Sequence, residues 1–283
     1  MKTGEMTTDR GMYRVSRKQA QWLSLTLDAV SAAGYMIVED VLSRDHIETI
    51  REHMYAVQPK IVAEVGQERL NRAGERGVLR LMMKYDPFFI SLLEIPEVLA
   101  VVDATVSETA ILQAQNGLAL PPDSRPVMDV PPPDSFHRDF PRVMNGFMAS
   151  INMFLTIDEF TPDNGATRIV PCSQQKSRPA DEYIRQYNIP VTCPPGSLFI
   201  YDSTLLHAAG YNRTGQNRAA INQQFVRSYI KQQFDFVRAL GDEVILGQKP
   251  RTQQLLGYYT RVVTSLDEYY QPEEKRLYRK GQW

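Results

Sequence analysis

The chain has 283 residues and a formal net charge of −1, from 32 Lys+Arg against 33 Asp+Glu. That balance excludes a protein whose whole surface binds nucleic acid, and no apolar run approaches the roughly 20 residues of a membrane span. The length predicts one large domain or two small ones, with a core that needs no disulfide or structural metal.

Residues 1–15 read as an N-terminal arm, and MKTGEMTTDRGMYR lacks the apolar core of a signal peptide. Cys172 and Cys193 are far from any CxxC spacing, so free buried thiols in a reducing, cytoplasmic setting are expected. Ser16-Arg17-Lys18-Gln19 fits a capping box opening a helix. Trp22, Leu25, Ala29 and Ala33 then form a helical stripe, which Gly34 can end in a left-handed conformation. Residues 35–38 read as a short strand. Ser43 can cap a second helix with Ile47, Ile50, Met54, Val57 and Ile61 on one face.

Residues 78–85 and 111–118 are strand-like, and a proline-rich loop containing Pro131-Pro132-Pro133 follows. Residues 148–157 alternate, with Ser150, Asn152, Phe154 and Thr156 on one side and Ile151, Met153, Leu155 and Ile157 on the other. Pro162-Asp163-Asn164-Gly165 and Pro194-Pro195-Gly196 are turns ahead of strands at 167–170 and 197–202, and 219–228 is a further strand. Short strands separated by such turns predict an antiparallel sandwich or barrel. Residues 229–283 return to helical character. No linker-like change in composition divides the chain, so residues 1–283 are expected to be one domain: an all-β core flanked by helices.

The chemistry concentrates in Phe136-His137-Arg138-Asp139-Phe140. On a strand, His137 and Asp139 aim an imidazole and a carboxylate to one side. A second histidine, His207, sits in another strand-like stretch. Two His and one carboxylate with open positions make the facial set that holds ferrous iron in oxygenases. Arg218 follows His207 by 11 residues, across a turn at 212–217. A hairpin there would lay the two strands side by side, and a buried Arg at that point is a bidentate clamp for a dicarboxylate.

With these residues in place, the sequence resembles the phytanoyl-CoA dioxygenase family of Fe(II)/2-oxoglutarate oxygenases. The likeness runs from about residue 27 to 227. It rests on AAGYMIVEDVLSRDHIETIREHM, HRD, DNGATRIVPCSQ and PPGSLFIYDSTLLHAAGYNRTGQNRAAI. The resemblance implies a double-stranded β-helix, the cupin-like jelly roll. It implies iron ligation by His137, Asp139 and His207, and binding of the distal carboxylate of 2-oxoglutarate by Arg218. Thr167 matches a position that assists that Arg in some members. Gln113 and Gln115 lie on the strand that often meets the near carboxylate. The implied activity couples O2 and decarboxylation of 2-oxoglutarate, to succinate and CO2, with oxidation of an unactivated C–H bond. Hydroxylation of a small organic molecule is the leading expectation; desaturation, ring closure and endoperoxide formation are variants. Two departures stand out. Pro171-Cys172-Ser173-Gln174 replaces the family's usual PGSH, and Asp134 stands where some members carry Gln. Asp139 itself is retained, which disfavours halogenation.

Other readings stay open. A jelly-roll protein that binds a metal or small ligand without turnover is the rival, and a His2Asp zinc hydrolase is a third. Arg138, Arg142, Arg168 and Lys84 could offer an anionic substrate a basic rim, or be ordinary paired charges. Residues 174–191 form a candidate lid, and Phe136, Phe140 and Phe147 candidate pocket walls. His46 and His53 read as helix-surface residues rather than a metal site. The tail at 269–283 reads as a solvated amphipathic helix or a subunit contact of a homodimer. Neither a nucleic-acid nor a membrane partner is expected.

Overall fold

The alternating segments pair into two sheets in a computed structural model that describes residues 11–123, 130–141, 146–276 and 282. The strands in chain order are β1 (Arg14–Ser16), β2 (Tyr35–Glu39), β3 (Val78–Arg80), β4 (Ile111–Leu120) and β5 (Ser150–Thr156). They continue with β6 (Arg168–Ile169), β7 (Ile189–Pro190), β8 (Leu198–Asp202), β9 (His207–Ala208) and β10 (Arg218–Val226). The large sheet runs β1-β2-β8-β5-β10-β4-β3 and the small one β7-β6-β9. Among the described strands only the β1–β2 pair is parallel. From β5 onward the chain alternates between the sheets, with β5, β8 and β10 in one and β6, β7 and β9 in the other. That alternation is the jelly roll, and it suits strands too short to bury a core within one layer.

Helices α1 (Trp22–Ala33), α2 (Arg44–Val65), α3 (Gln67–Arg72), α4 (Phe88–Ser91) and α5 (Pro96–Thr105) precede most of the strands. Several cover one face of the large sheet, where Ile151, Met153, Leu155, Ile200 and Ile221 meet Ile50, Met54, Val98 and Val102. The opposite face packs Phe154, Phe199 and Tyr201 against Ile169 and Val191 of the small-sheet region. Burial on both faces explains why every residue of β5 is buried despite its alternating polarity.

Local signals behave as their chemistry requires, with instructive exceptions. Ser43 Oγ accepts from the His46 N–H at 3.2 Å and starts α2. Gly34 ends α1 at φ +89°, and a Cβ there would lie 2.5 Å from Leu205 Cδ1. The expected capping box does not form. Ser16 ends β1 and its hydroxyl donates to Asp40 Oδ2 at 2.6 Å, while α1 begins only at Trp22. Sheet pairing outcompetes the cap, and it draws the end of the N-terminal arm into the large sheet. Residues 78–85 stop being a strand after Arg80; Leu81 turns to φ +52° and a 3-10 turn follows. Cys193 is buried as expected, but Cys172 is exposed, because it occupies a left-handed turn at φ 62°. After β10 come α7 (Phe236–Leu240), α8 (Asp242–Leu246), α9 (Pro250–Leu255) and α10 (Leu266–Tyr269). The described part of the 269–283 tail holds the last residue of α10 and a 3-10 turn, not a long amphipathic helix.

Candidate active site

Backbone pairing brings the two histidines together. His137 and His207 exchange both backbone hydrogen bonds, at 2.9 and 3.0 Å. Residues so paired stand directly opposite, with side chains on one face. The imidazole centroids are 4.4 Å apart. Asp139 lies two residues on, 3.6 Å from His137 Nε2 and 3.3 Å from His207 Nε2. One ligand atom from each of the three falls within 4.8 Å of the others. Among the described residues no other His, Cys, Asp or Glu group has such spacing. His53 instead pairs its Nδ1 with Asp86 and stacks on Phe88 at 3.9 Å.

The tautomers follow from the backbone. His207 Nδ1 lies 3.0 Å from the Leu205 carbonyl and His137 Nδ1 3.4 Å from that of Ser135. A carbonyl takes an N–H, so each ring commits its Nδ1 proton and turns the Nε2 lone pair inward. Two ring nitrogens and a carboxylate then face one another as acceptors, an arrangement that demands a cation: a metal ion, or a proton on an imidazole. Asp139 accordingly raises the His137 pKa, although burial works against it. Burial also opposes the charge on Asp139, but hydrogen bonds with His137 and His207 outweigh it and hold that carboxyl well below the usual carboxylate range. The His207 side chain is 8% exposed and that of His137 58%, so the centre opens on the His137 side.

The large sheet holds the carboxylate in place through residues that the sequence reading missed. Asn152 Nδ2 donates to Asp139 Oδ2 at 2.8 Å and to Ser203 Oγ at 2.9 Å. Tyr201 donates its hydroxyl to the same Oδ2 at 3.3 Å. Ser203 and Ser150 share a hydrogen bond at 2.7 Å, and Gln224 Nε2 reaches Ser150 at 3.0 Å. These contacts gather on Oδ2, the oxygen farther from His137. The one sequence signal was the polar side of the β5 alternation, Ser150 and Asn152, a polar row on a strand otherwise built for a core.

Arg138 points the other way, as the strand geometry predicts. Its guanidinium donates to the carbonyls of Thr204, Ser173 and Lys176, so it fastens the loops behind the site. Arg168 donates to Asn188 and Lys84 to Glu64. Each of these three side chains thus has a partner within the chain, Lys84 an acid and the two arginines neutral oxygens; Arg142 lies outside the described residues. Residues 174–191 fold into a 3-10 turn, α6 (Asp181–Tyr187) and β7. Tyr183 of α6 packs on a small cluster with Phe136, Ile184 and Leu206, beside the His137 segment. Phe136 is therefore core, while Phe147 is 45% exposed and carries Arg227 above its ring.

Arg218 opens β10. It does not form a hairpin beside His207, because β9 pairs with β6 and β10 with β4 and β5. The two residues lie in different sheets instead. Along β10, Arg218, Ala220, Asn222 and Gln224 share a face by alternation. Asn222 Nδ2 contacts Asn152 Oδ1 at 3.3 Å, which fixes that face as the one bearing Asp139. Arg218 is 4% exposed, lies over the Phe160 ring at 4.0 Å, and leaves Nε and Nη1 buried without a partner. Burial pulls its pKa down to about 10. An unpartnered buried guanidinium is costly, and it fits a carboxylate that arrives with a ligand.

The remaining candidates separate. Thr167 is buried next to β6, where its carbonyl accepts from Val191 N–H at 2.8 Å; no hydrogen bond joins it to Arg218. Gln113 sits at a bulge, opposite no residue of β10, and is half-exposed. Gln115 is placed on the wrong face for a co-substrate contact. It pairs in register with Gln223 and donates to the Phe89 carbonyl at 2.9 Å, under the helices. The bulge at Gln113 shifts the register by one, so strict alternation could not assign the two glutamines.

Residues 30–220 match the family model for phytanoyl-CoA dioxygenase (PhyH). The chain is 58% identical over 258 residues to the uncharacterised protein Rv1501 of Mycobacterium tuberculosis, covering 90% of this chain and 94% of that one. It is 29% identical over 136 residues, 44% of each chain, to the dioxygenase cdmD of Talaromyces verruculosus. Among solved structures, iron-bound EctD from S. alaskensis shares the fold with a TM-score of 0.58 at 17% identity, over 81% of this chain and 82% of that one. The α-ketoglutarate-dependent epimerase SnoN of nogalamycin biosynthesis gives a TM-score of 0.54 at 16% identity, over 72% of this chain and 82% of its own. The chain belongs to the phytanoyl-CoA dioxygenase (PhyH) family of Fe(II)- and 2-oxoglutarate-dependent oxygenases.

Proposed function

We propose that this dioxygenase is a hydroxylase of a small organic molecule, converting R–H, O2 and 2-oxoglutarate to R–OH, succinate and CO2. The observation that carries the reading is Arg218, a buried guanidinium with two unpaired nitrogens on the sheet face that also bears the contacts to Asp139. His137, Asp139 and His207 fit a ferrous ion as three inward-facing ligands on one side, leaving the other side open. Bound there, the ion and its keto-diacid supply the oxidising power with O2.

The chain's own residues do the rest. Arg218 takes the distal carboxylate and so sets the co-substrate's depth in the sandwich. Thr167, next to β6, and Gln113, at the β4 bulge, are the further candidates for contact with the co-substrate. Asn152 and Tyr201 hold Asp139 by one oxygen, so the carboxylate keeps its aim. Phe160, beneath the Arg218 guanidinium, and the aromatic stack of Phe154, Phe199 and Tyr201 keep water from that end. The reading takes residues 1–283 as one catalytic domain of the reducing cytoplasm, where ferrous iron and the free thiols of Cys172 and Cys193 persist. Anaerobic addition of Fe(II) and 2-oxoglutarate is expected to give a visible charge-transfer band, and aerobic turnover to release succinate in step with O2 uptake. A folded protein that gives no band overturns the reading.

A further inference from the structure

The site face of the large sheet has two halves. Register places Phe199, Phe154, Asn222, Asn116 and Arg80 in one row across β8, β5, β10, β4 and β3. Residues directly opposite share a face, and the link from Asn222 through Asn152 to Asp139 ties this row to the metal-site candidates. Phe199 and Phe154 are buried beneath the small-sheet region. Asn222, Asn116 and Arg80 are half-exposed. This open half extends from beside Asp139 across two further strand spacings, about 10 Å.

Its chemistry is polar and neutral. Arg80 is the one cation of the row, and Glu75 neutralises it through hydrogen bonds of 2.8 and 2.9 Å to Nε and 2.6 Å to Nη2. Arg80 Nη1 donates to Asn116 Oδ1 at 3.3 Å and to Gln233 Oε1 at 3.2 Å. Among the described residues, Asn116 Nδ2 and Asn222 Oδ1 have no hydrogen-bond partner. One end thus offers a donor and the other an acceptor, on neighbouring strands.

We infer that the half-exposed row Asn222–Asn116–Arg80 is the substrate floor, and that it recognises a neutral molecule rich in hydroxyl groups, of glycoside or polyol chemistry. The inference rests on the oxygenase reading and names its substrate class. A hydroxyl both donates and accepts, so it can satisfy Asn116 Nδ2 and Asn222 Oδ1 together. An apolar chain laid on this floor would strip both carboxamides of water without replacing it. Among the described residues, the cation of this row is already neutralised by Glu75, Lys84 is paired with Glu64, Arg138 and Arg168 are turned to carbonyl and amide oxygens elsewhere, and Arg218 is reserved for the co-substrate, so an anionic head group finds no counter-charge on the row itself. The buried Phe154–Phe199 stack closes the row at its inner end.

The test uses the full chain with Fe(II) and 2-oxoglutarate under anaerobic conditions. Formation of the charge-transfer band with no further addition checks the oxygenase reading alone. Methyl hexopyranosides and inositol are then titrated against palmitoyl-CoA and glucose 6-phosphate, reading perturbation of the band and, in air, stimulated succinate release. At least one neutral glycoside or polyol should perturb the band and outperform both anionic probes. Asn116→Leu should weaken that response at least tenfold while the band still forms. Asn222→Leu repeats the test from the adjacent strand should the first variant fold poorly. A normal band with no response to any neutral probe overturns the inference and leaves the oxygenase reading standing. So does a stronger response to palmitoyl-CoA or glucose 6-phosphate, or a glycoside response untouched in both variants.

Discussion

The two faces of the large sheet carry similar amides to opposite ends. On the helix-covered face, Gln115 and Gln223 send their Nε2 groups to the carbonyls of Phe89 and Leu92, at 2.9 and 3.3 Å, and so tie the sheet to the helical layer. On the other face, Asn152 sends its Nδ2 to the Asp139 carboxylate, while Asn116 Nδ2 and Asn222 Oδ1 have no partner among the described residues. The basic residues divide by the same logic: Arg138 is spent on three backbone carbonyls, and Arg218 leaves two nitrogens unspent. The difference teaches that a buried polar residue is read by its partners rather than its type. Where backbone takes its donors, as for Gln115, Gln223 and Arg138, it is a fastener; an unspent donor set on the face that bears Asp139, as at Arg218, suits a ligand.

The comparison breaks most visibly at Asp139. Asp139→Ala removes the anion from the three-acceptor centre and should abolish ferrous binding, with no charge-transfer band at any accessible Fe(II) concentration and an unchanged far-UV circular dichroism spectrum. A retained band would show that two imidazoles suffice. Arg218→Ala comes next. Truncating one partner of a buried charge pair costs about 2–5 kcal/mol, so half-saturation by 2-oxoglutarate should rise on the order of 100-fold, while the band still forms at saturation. Because Nε and Nη1 have no partner within the chain, the variant should be no less stable than the parent in thermal melts. Unchanged co-substrate affinity would move the clamp elsewhere.

Much of this was legible in the sequence, for physical reasons that can be named. His137 and Asp139 share a side because strand periodicity is two. Gly34, Ser43 and the stripe on α2 follow from local backbone chemistry, which a sequence carries directly. The chain also displays Arg218 at a fixed distance from His207, but not how the intervening turn runs; a hairpin and a crossing between sheets use the same 11 residues. Only the pairing of β9 with β6 decides between them. Ser16 and Gln19 have the sequence of a sound capping box, but it loses to a strand partner, Glu39, 23 residues away. Asn152 and Tyr201 were not singled out because their role depends on Asp139, which comes to them from outside their own strands. The two glutamines of β4 could not be told apart for the smallest reason, a single bulged residue.

Asn152 sharpens the comparison at the site face. Residues that orient a metal ligand typically contribute 10–100-fold in metal affinity, and Asn152 holds Asp139 Oδ2 together with Tyr201. Asn152→Ala should therefore weaken ferrous binding about tenfold, less than either earlier change, with 2-oxoglutarate affinity at saturating metal unaffected. Tyr201→Phe should add to the loss when combined with it, since both act on one oxygen. If Asn152→Ala lowered co-substrate affinity instead, the amide would be a ligand-binding group rather than a positioning one.

The smallest effect on the site, and the cleanest control, belongs to Gln115. It stands two positions from Gln113 on the same strand, so a sequence argument treats the two alike. The structure buries it at 2% exposure beneath the helices, with Nε2 on the Phe89 carbonyl and Oε1 unpaired. Gln115→Leu should leave both the band and its 2-oxoglutarate dependence where they are. It should lower stability by about 1–3 kcal/mol, the cost of stranding a buried carbonyl, seen as a lower urea midpoint with an unchanged slope. Loss of the unpaired Oε1 offsets part of that cost, so the lower end of the range is expected. A shift in co-substrate affinity without a change in stability would reverse the assignment of the two faces.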